Sequence, residues 1–120
     1  MNAARALAAD IAERIDGLGP VSVRRFFGGA ALVADGVQVA FVIKGSLYLR
    51  VDEESRADFE AHGSAPFSYS GAAKTVTVAS YYEAPAEILD DDEELSEWVE
   101  RAYRAARAAP ASKRKRPAAK

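Results

Sequence analysis

An α+β two-layer sandwich is the fold class this sequence predicts: an antiparallel sheet with helices over one face, in the order α-β-β-β-α-β-β-α. Three observations predict it. Apolar residues recur at three- and four-residue steps near both ends of the chain. Between them the period drops to two, in short runs punctuated by glycine. And 120 residues, 49% hydrophobic and 28% charged, suit one globular domain.

The first helix carries Ala4, Leu7, Ala8, Ile11, Ala12 and Ile15 on one face. Asp10 and Arg14 lie four apart on the other side, spaced to pair. Gly17 and Gly19-Pro20 stop it, since glycine tolerates a left-handed cap and proline cannot continue a helix. Val21-Ser22-Val23 opens an extended run through Arg24-Arg25-Phe26-Phe27 to Gly28-Gly29, where the paired glycines predict a bulge or sharp bend. Ala31 to Ala34 follow, and Asp35-Gly36 is the dipeptide of a two-residue hairpin. Val37, Val39, Phe41 and Ile43 alternate with Gln38, Ala40, Val42 and Lys44, which assigns the first set to one apolar face. Lys44-Gly45 turns into Leu47, Leu49 and Val51, facing opposite to Ser46, Tyr48 and Arg50. The stretch reads as an antiparallel meander of at least three strands.

Asp52-Glu53-Glu54 starts a short helix, because acids suit the positive end of the helix dipole, and it ends near His62-Gly63. Phe67-Ser68-Tyr69 and Thr75 to Ala79 form a second hairpin, with Ser70-Gly71 in its connection. Tyr81-Tyr82 and Ala84-Pro85 lead to a helical turn at Ile88-Leu89. In the last helix Asp91, with Glu94 three residues on, has the spacing of a capping box. Its apolar stripe is Leu95, Trp98, Val99, Ala102 and Ala106, with Glu97–Arg101 and Glu100–Arg104 spaced as ion pairs. Pro110 ends it. A folded domain over residues 1–109 and a disordered basic tail over 110–120 are expected.

Composition removes several function classes. Without cysteine there is no disulfide scaffold, thiolate zinc site or cysteine nucleophile. One histidine excludes a multi-histidine metal cluster, and neither metal nor cofactor is expected. Alanine fills 26 positions, so the fewer large apolar residues mark the core. The first fifteen residues are broken by Arg5, Asp10, Glu13 and Arg14, unlike a secretory signal. No run of 18 apolar residues exists to span a membrane, so the expected location is cytoplasmic.

The net charge of −2 hides an asymmetry: residues 1–100 sum to −10 and residues 101–120 to +8. A basic tail on an acidic body suggests a partner for the tail. Lys113, Arg114, Lys115, Arg116 and Lys120 would give non-specific affinity for duplex DNA, with a salt slope of around −4 to −5 and no base reading. The plain alternative is a solubilising tail.

Other runs have similar double readings. Arg24-Arg25 beside the glycine pair has the groups to hold phosphate, yet also reads as a bulged strand with packed phenylalanines and solvated arginines. His62 reads as a dipole cap at a helix C-terminus rather than an acid or base. Asp90 to Glu94 reads as a helix N-terminus rather than a magnesium site. Tyr48, Tyr69, Tyr81, Tyr82 and Trp98 are candidates either for stacking on bases or for a core or dimer interface, and the acidic body favours the latter.

Arg25-Phe26-Phe27-Gly28-Gly29, then Leu32, Asp35-Gly36-Val37 and Phe41, resembles the opening signature of the N-terminal domain of the TfoX/Sxy family. Leu47-Tyr48-Leu49-Arg50-Val51-Asp52, Phe59, Pro66-Phe67-Ser68-Tyr69, Ser80-Tyr81-Tyr82, Pro85, Leu89-Asp90 and the Trp98 helix continue it in order. The likeness runs from about Ala4 to Ala109, with Phe26 where the family usually has methionine. It implies a two-layer α+β domain arranged like type III secretion chaperones. It also implies a link to bacterial competence regulators, whose full-length members act with a catabolite-responsive activator and carry a second, helical domain not expected here. The resulting expectation is a non-enzymatic regulatory or adaptor protein, working through contacts with transcription machinery or a regulator. Arg24, Arg25, Phe26, Phe27, Gly28 and Gly29 are its candidate contact loop. The alternative is a nucleic-acid accessory acting through the tail; an enzyme would need a pocket joining Arg24 and Arg25 to carboxylates. A homodimer is expected by analogy with the chaperones and from apolar Ala40 and Val42 on a sheet face.

Overall fold

The structure, a computed structural model, describes residues 3–15, 19–26, 28–70 and 73–108. Helix α1 (Ala3–Arg14) precedes four strands, β1 (Val21–Phe26), β2 (Gly29–Ala34), β3 (Val37–Ile43) and β4 (Ser46–Arg50). Helix α2 (Glu53–Ala61), strands β5 (Pro66–Ser70) and β6 (Thr75–Glu83), a 3₁₀ turn (Ala86–Asp90) and α3 (Asp92–Ala108) complete it. The six strands form one antiparallel sheet in the order β1-β2-β3-β4-β6-β5. The α+β class and antiparallel sheet are those the sequence predicts, with one strand more in the first group. Phe26 pairs with Gly29, so of the bulge or sharp bend expected at the glycine pair the bend is found: the chain reverses ahead of Gly29, which opens β2. Phe27, Gly17, Gly71 and everything from Ala109 on, Pro110 and the basic tail included, lie outside the described residues.

Both two-residue turns form as their sequences dictate. Asp35 and Gly36 have φ of 52° and 81°, and Lys44 and Gly45 have 53° and 84°, the left-handed pair that matches the twist of the flanking strands. Asp35 is also anchored to α3, accepting hydrogen bonds from the Tyr103 hydroxyl at 2.9 Å and from Arg107 at 2.6 Å.

Helices α1 and α3 cover one face. Ile11, Leu32, Ala40, Val42, Leu47, Leu49, Ile88, Leu95 and Val99 are essentially without solvent contact there. The apolar stripes predicted for both helices point into this core, with Leu7, Ala12, Ile15 and Trp98 at its margin. Arg14 ties the two helices, donating to Asp92 at 2.6 Å and standing 3.7 Å from Asp10. Asp91 caps α3 by accepting from the Glu93 and Glu94 backbone. Glu100–Arg104 pairs at 3.1 Å as spaced, but Arg101 turns away from Glu97 to reach Asp58 on α2 at 2.6 Å. Among the described residues, no helix is long and apolar enough to cross a membrane.

Helix α2 is closed at both ends. Asp52 and Ser55 exchange side chain–backbone hydrogen bonds of 2.8 and 3.0 Å. At the other end Gly63 (φ 82°) and Ser64 donate back to Glu60 and Phe59 at 3.0 Å. The Ser55 backbone N–H, more than any other influence, holds the Asp52 carboxyl below its ordinary pKa. A depressed folded pKa stabilises above the unfolded value, about 4, and that gain is lost as pH falls through the folded value. Asp52→Ala is therefore expected to lower stability by about 1 kcal/mol at neutral pH. Thermal melts at descending pH should show the gap to the parent closing below about pH 4.

Candidate functional site

The face away from α1 and α3 has its own core. Alternation along β3 does not hold as the sequence suggests: Leu32 pairs with Ala40 but Val33 with Gln38, so Val39 is an extra residue in a bulge. Val37 and Val39 consequently face the helices with Ala40 and Val42, while Phe41 and Ile43 face the other way. The expected dimer face built on Ala40 and Val42 is thereby corrected, since both are fully buried beneath the helices.

Phe41 is the centre of the helix-free face. Its ring lies 4.6 Å from Phe26, 4.8 Å from Tyr81, 4.9 Å from Phe67 and 5.2 Å from Tyr48. Phe67 belongs to β5, yet β4 and β6 stand between β5 and β3 in the sheet. A register shift in the β5–β6 pairing explains the contact. Pro66 pairs with Tyr82 and Phe67 with Val78, leaving Ala79 to Tyr81 without β5 partners. The outer half of the hairpin thus bends over the face, and Phe67 also meets Tyr48 at 5.0 Å.

Between this bent hairpin and the β3–β4 turn is a groove of about 620 Å³. Ile43, Tyr48, Phe67 and Tyr69 give it an apolar lining; Lys44, Ser46, Ser68 and Ser70 supply polar groups, and Gly28 brings the β1–β2 turn to its rim. Burial, then the nearby Glu83 carboxylate, pushes the Tyr48 hydroxyl pKa up, so it remains a neutral donor at physiological pH. Tyr81 is likewise raised by burial; its hydroxyl donates to the Gln38 carbonyl at 3.2 Å and accepts from the Gln38 amide at 3.3 Å. Arg50 stacks over the Tyr81 ring at 5.6 Å. The chemistry on offer is aromatic contact area with hydroxyl and ammonium donors.

The residues singled out in the sequence divide among several places. Strand pairing puts Arg24 and Phe26 on the helix-free side and Arg25 on the opposite side of β1, so the two guanidinium groups do not converge. Arg24 lines a separate groove of about 400 Å³ with Ser22, Val33, Asp35 and Tyr103. Gly29 is packed against β3, where a Cβ would overlap the Val42 carbonyl oxygen and sit 2.8 Å from Ile43 Cγ1. The five aromatic candidates do not share one surface. Tyr48, Tyr69 and Tyr81 lie on the helix-free side; Tyr82 donates to Glu60 at 2.7 Å, and Trp98 packs on Phe59. His62 is the C-terminal cap of α2, with Nδ1 2.9 Å from the Asp58 carbonyl and its ring against Trp98. Asp91 and Asp92 are engaged as cap and ion pair at the start of α3. A wider groove of about 730 Å³ between α1 and α3 is lined by Glu13, Glu93, Glu97 and Glu100. Lys113, Arg114, Lys115, Arg116 and Lys120 are outside the described residues.

Sequence reasoning did not assemble Ile43, Lys44, Ser46 and Phe67 into a groove. The available signal was the unbroken apolar run Val39-Ala40-Phe41-Val42-Ile43, which suits a strand buried on both faces.

Against models of protein families, that of the TfoX N-terminal domain matches residues 13–106, from the last turn of α1 nearly to the end of α3. Among curated proteins, none matches the chain.

Proposed function

The chain belongs to the TfoX N-terminal domain family, and on that premise we propose a non-enzymatic regulatory module that acts through protein contacts in transcriptional regulation. The observation that carries this reading is the groove of the helix-free face, where a rigid aromatic floor adjoins the glycine turn of the family motif. Rigid rings with a few hydroxyl and ammonium donors provide contact area at low entropic cost, which suits recognition of a protein surface. A second reading rests on the five positive charges of residues 110–120, with no acidic one among them, which favours non-specific DNA binding by Lys113 to Arg116 and Lys120.

Two altered chains separate the readings: one ending at Ala109, and one carrying Lys44→Asp with Ser46→Arg to block the groove. Transcript profiles of cells expressing each are compared, with duplex DNA binding measured across a salt series. The contact reading expects the shortened chain to keep its effect on transcription and the groove variant to lose it. Loss of the effect with the tail, together with a parental DNA-binding slope of around −4 to −5, would replace it with the accessory reading.

A further inference from the structure

The sheet ends in two edges of different character. β1 carries adjacent, exposed Arg24 and Arg25, the kind of charge that keeps an edge from pairing with another chain. β5, at the other edge, reads Pro66-Phe67-Ser68-Tyr69-Ser70 and has no charged side chain. Its Tyr69 is 45% exposed, the one large hydrophobic residue so exposed among the described residues.

We propose that the outer edge of β5 pairs with β5 of a second copy, antiparallel, about a two-fold axis at Ser68. The strand is self-complementary in that register. Ser68 meets its equivalent, and Phe67 of each copy stands opposite Tyr69 of the other, giving two cross-strand aromatic pairs on the helix-free side. Pro66, which has no N–H to donate, falls at the end of the pairing, where its loss is least. The charges also fit. Exposed Lys74 lies beside the Ser70–Thr75 end of the hairpin and exposed Glu83 beside the Ala65–Pro66 end. An antiparallel two-fold brings the basic end of each hairpin alongside the acidic end of the other, offsetting the repulsion between acidic bodies. The contact is isologous and closes as a dimer. Five paired residues a side fall short of a standard interface of about 1,600 Å², so the dimer is weak and reversible. This pairing goes beyond the regulatory reading and stands or falls without it.

The absence of native cysteine makes a direct test available. In the proposed register the two Ser68 Cα atoms are about 4.5–5.5 Å apart, within disulfide range. Ser68→Cys and, as control on the β1 edge, Ser22→Cys are exposed to a mild oxidant and run on non-reducing gels. Sedimentation of the unmodified chain follows its mass with concentration. The expected result is cross-linking of Ser68→Cys at least about tenfold faster than the control, from the higher effective concentration of the paired thiols. The unmodified mass should also rise from 12.8 kDa toward twice that value. Equal cross-linking rates, faster cross-linking of the control, or a mass constant at 12.8 kDa each overturn the proposal.

Discussion

Gly29→Ala is expected to destabilise the domain by about 3 kcal/mol or more, while its neighbour Gly28→Ala changes stability by no more than about 1 kcal/mol. The difference lies in what a methyl group meets. At Gly29 it overlaps the Val42 carbonyl oxygen and stands 3.0 Å from the Val42 carbonyl carbon. Val42 is fully buried and pairs with Ala30 on one side and Leu47 on the other. The carbonyl belongs to a strand paired on both sides and cannot move aside as a long side chain can, so the clash is relieved only by opening the sheet. At Gly28 nothing lies within 4 Å and φ is outside the left-handed region, so alanine fits and restricts the unfolded chain. Thermal unfolding of the two variants should separate their midpoints by roughly 10 °C or more. Equal midpoints would mean that β2 is not seated on β3 as described.

The same contact marks where the sequence stops being informative. Local chemistry was legible: Asp35-Gly36 and Lys44-Gly45 announce their turns, Asp52-Glu53-Glu54 the start of α2, Asp91 the cap of α3, and the three- and four-residue stripes of α1 and α3 their buried faces. Each depends on residues within one turn of each other. The bulge at Val39 leaves no comparable trace, because an extra residue in a strand looks like any other valine. It nevertheless moves Phe41 and Ile43 to the opposite face from Val37 and Val39. Arg101 shows the same limit on a helix, where a partner 43 positions away outcompetes the one four away. The groove depended on both, since its floor needs the bulge and its wall needs the register shift between β5 and β6 that carries Phe67 over the face.

Phe41→Ala provides the strictest test of that second core, with an expected loss of about 3–5 kcal/mol. A strand residue on a face without covering helices would ordinarily be half solvated, and its truncation would cost little. Phe41 is 1% exposed because four rings from β1, β4, β5 and β6 close over it. Removing it leaves a void that those rings fill poorly, as each is fixed by its own strand. Phe41→Leu retains more of the volume and should cost about half as much. Phe67→Ala removes one of the four contacts, and combining it with Phe41→Ala should reveal a coupling of about 0.5–1.5 kcal/mol beyond the lost area. Chemical denaturation of the single and double variants gives these values. A Phe41→Ala loss below about 1 kcal/mol, in the range of surface substitutions, would mean that the rings do not pack as a unit. The hairpin would then be free to lift from the face, and a groove whose wall is that hairpin would have no fixed shape to present to a partner.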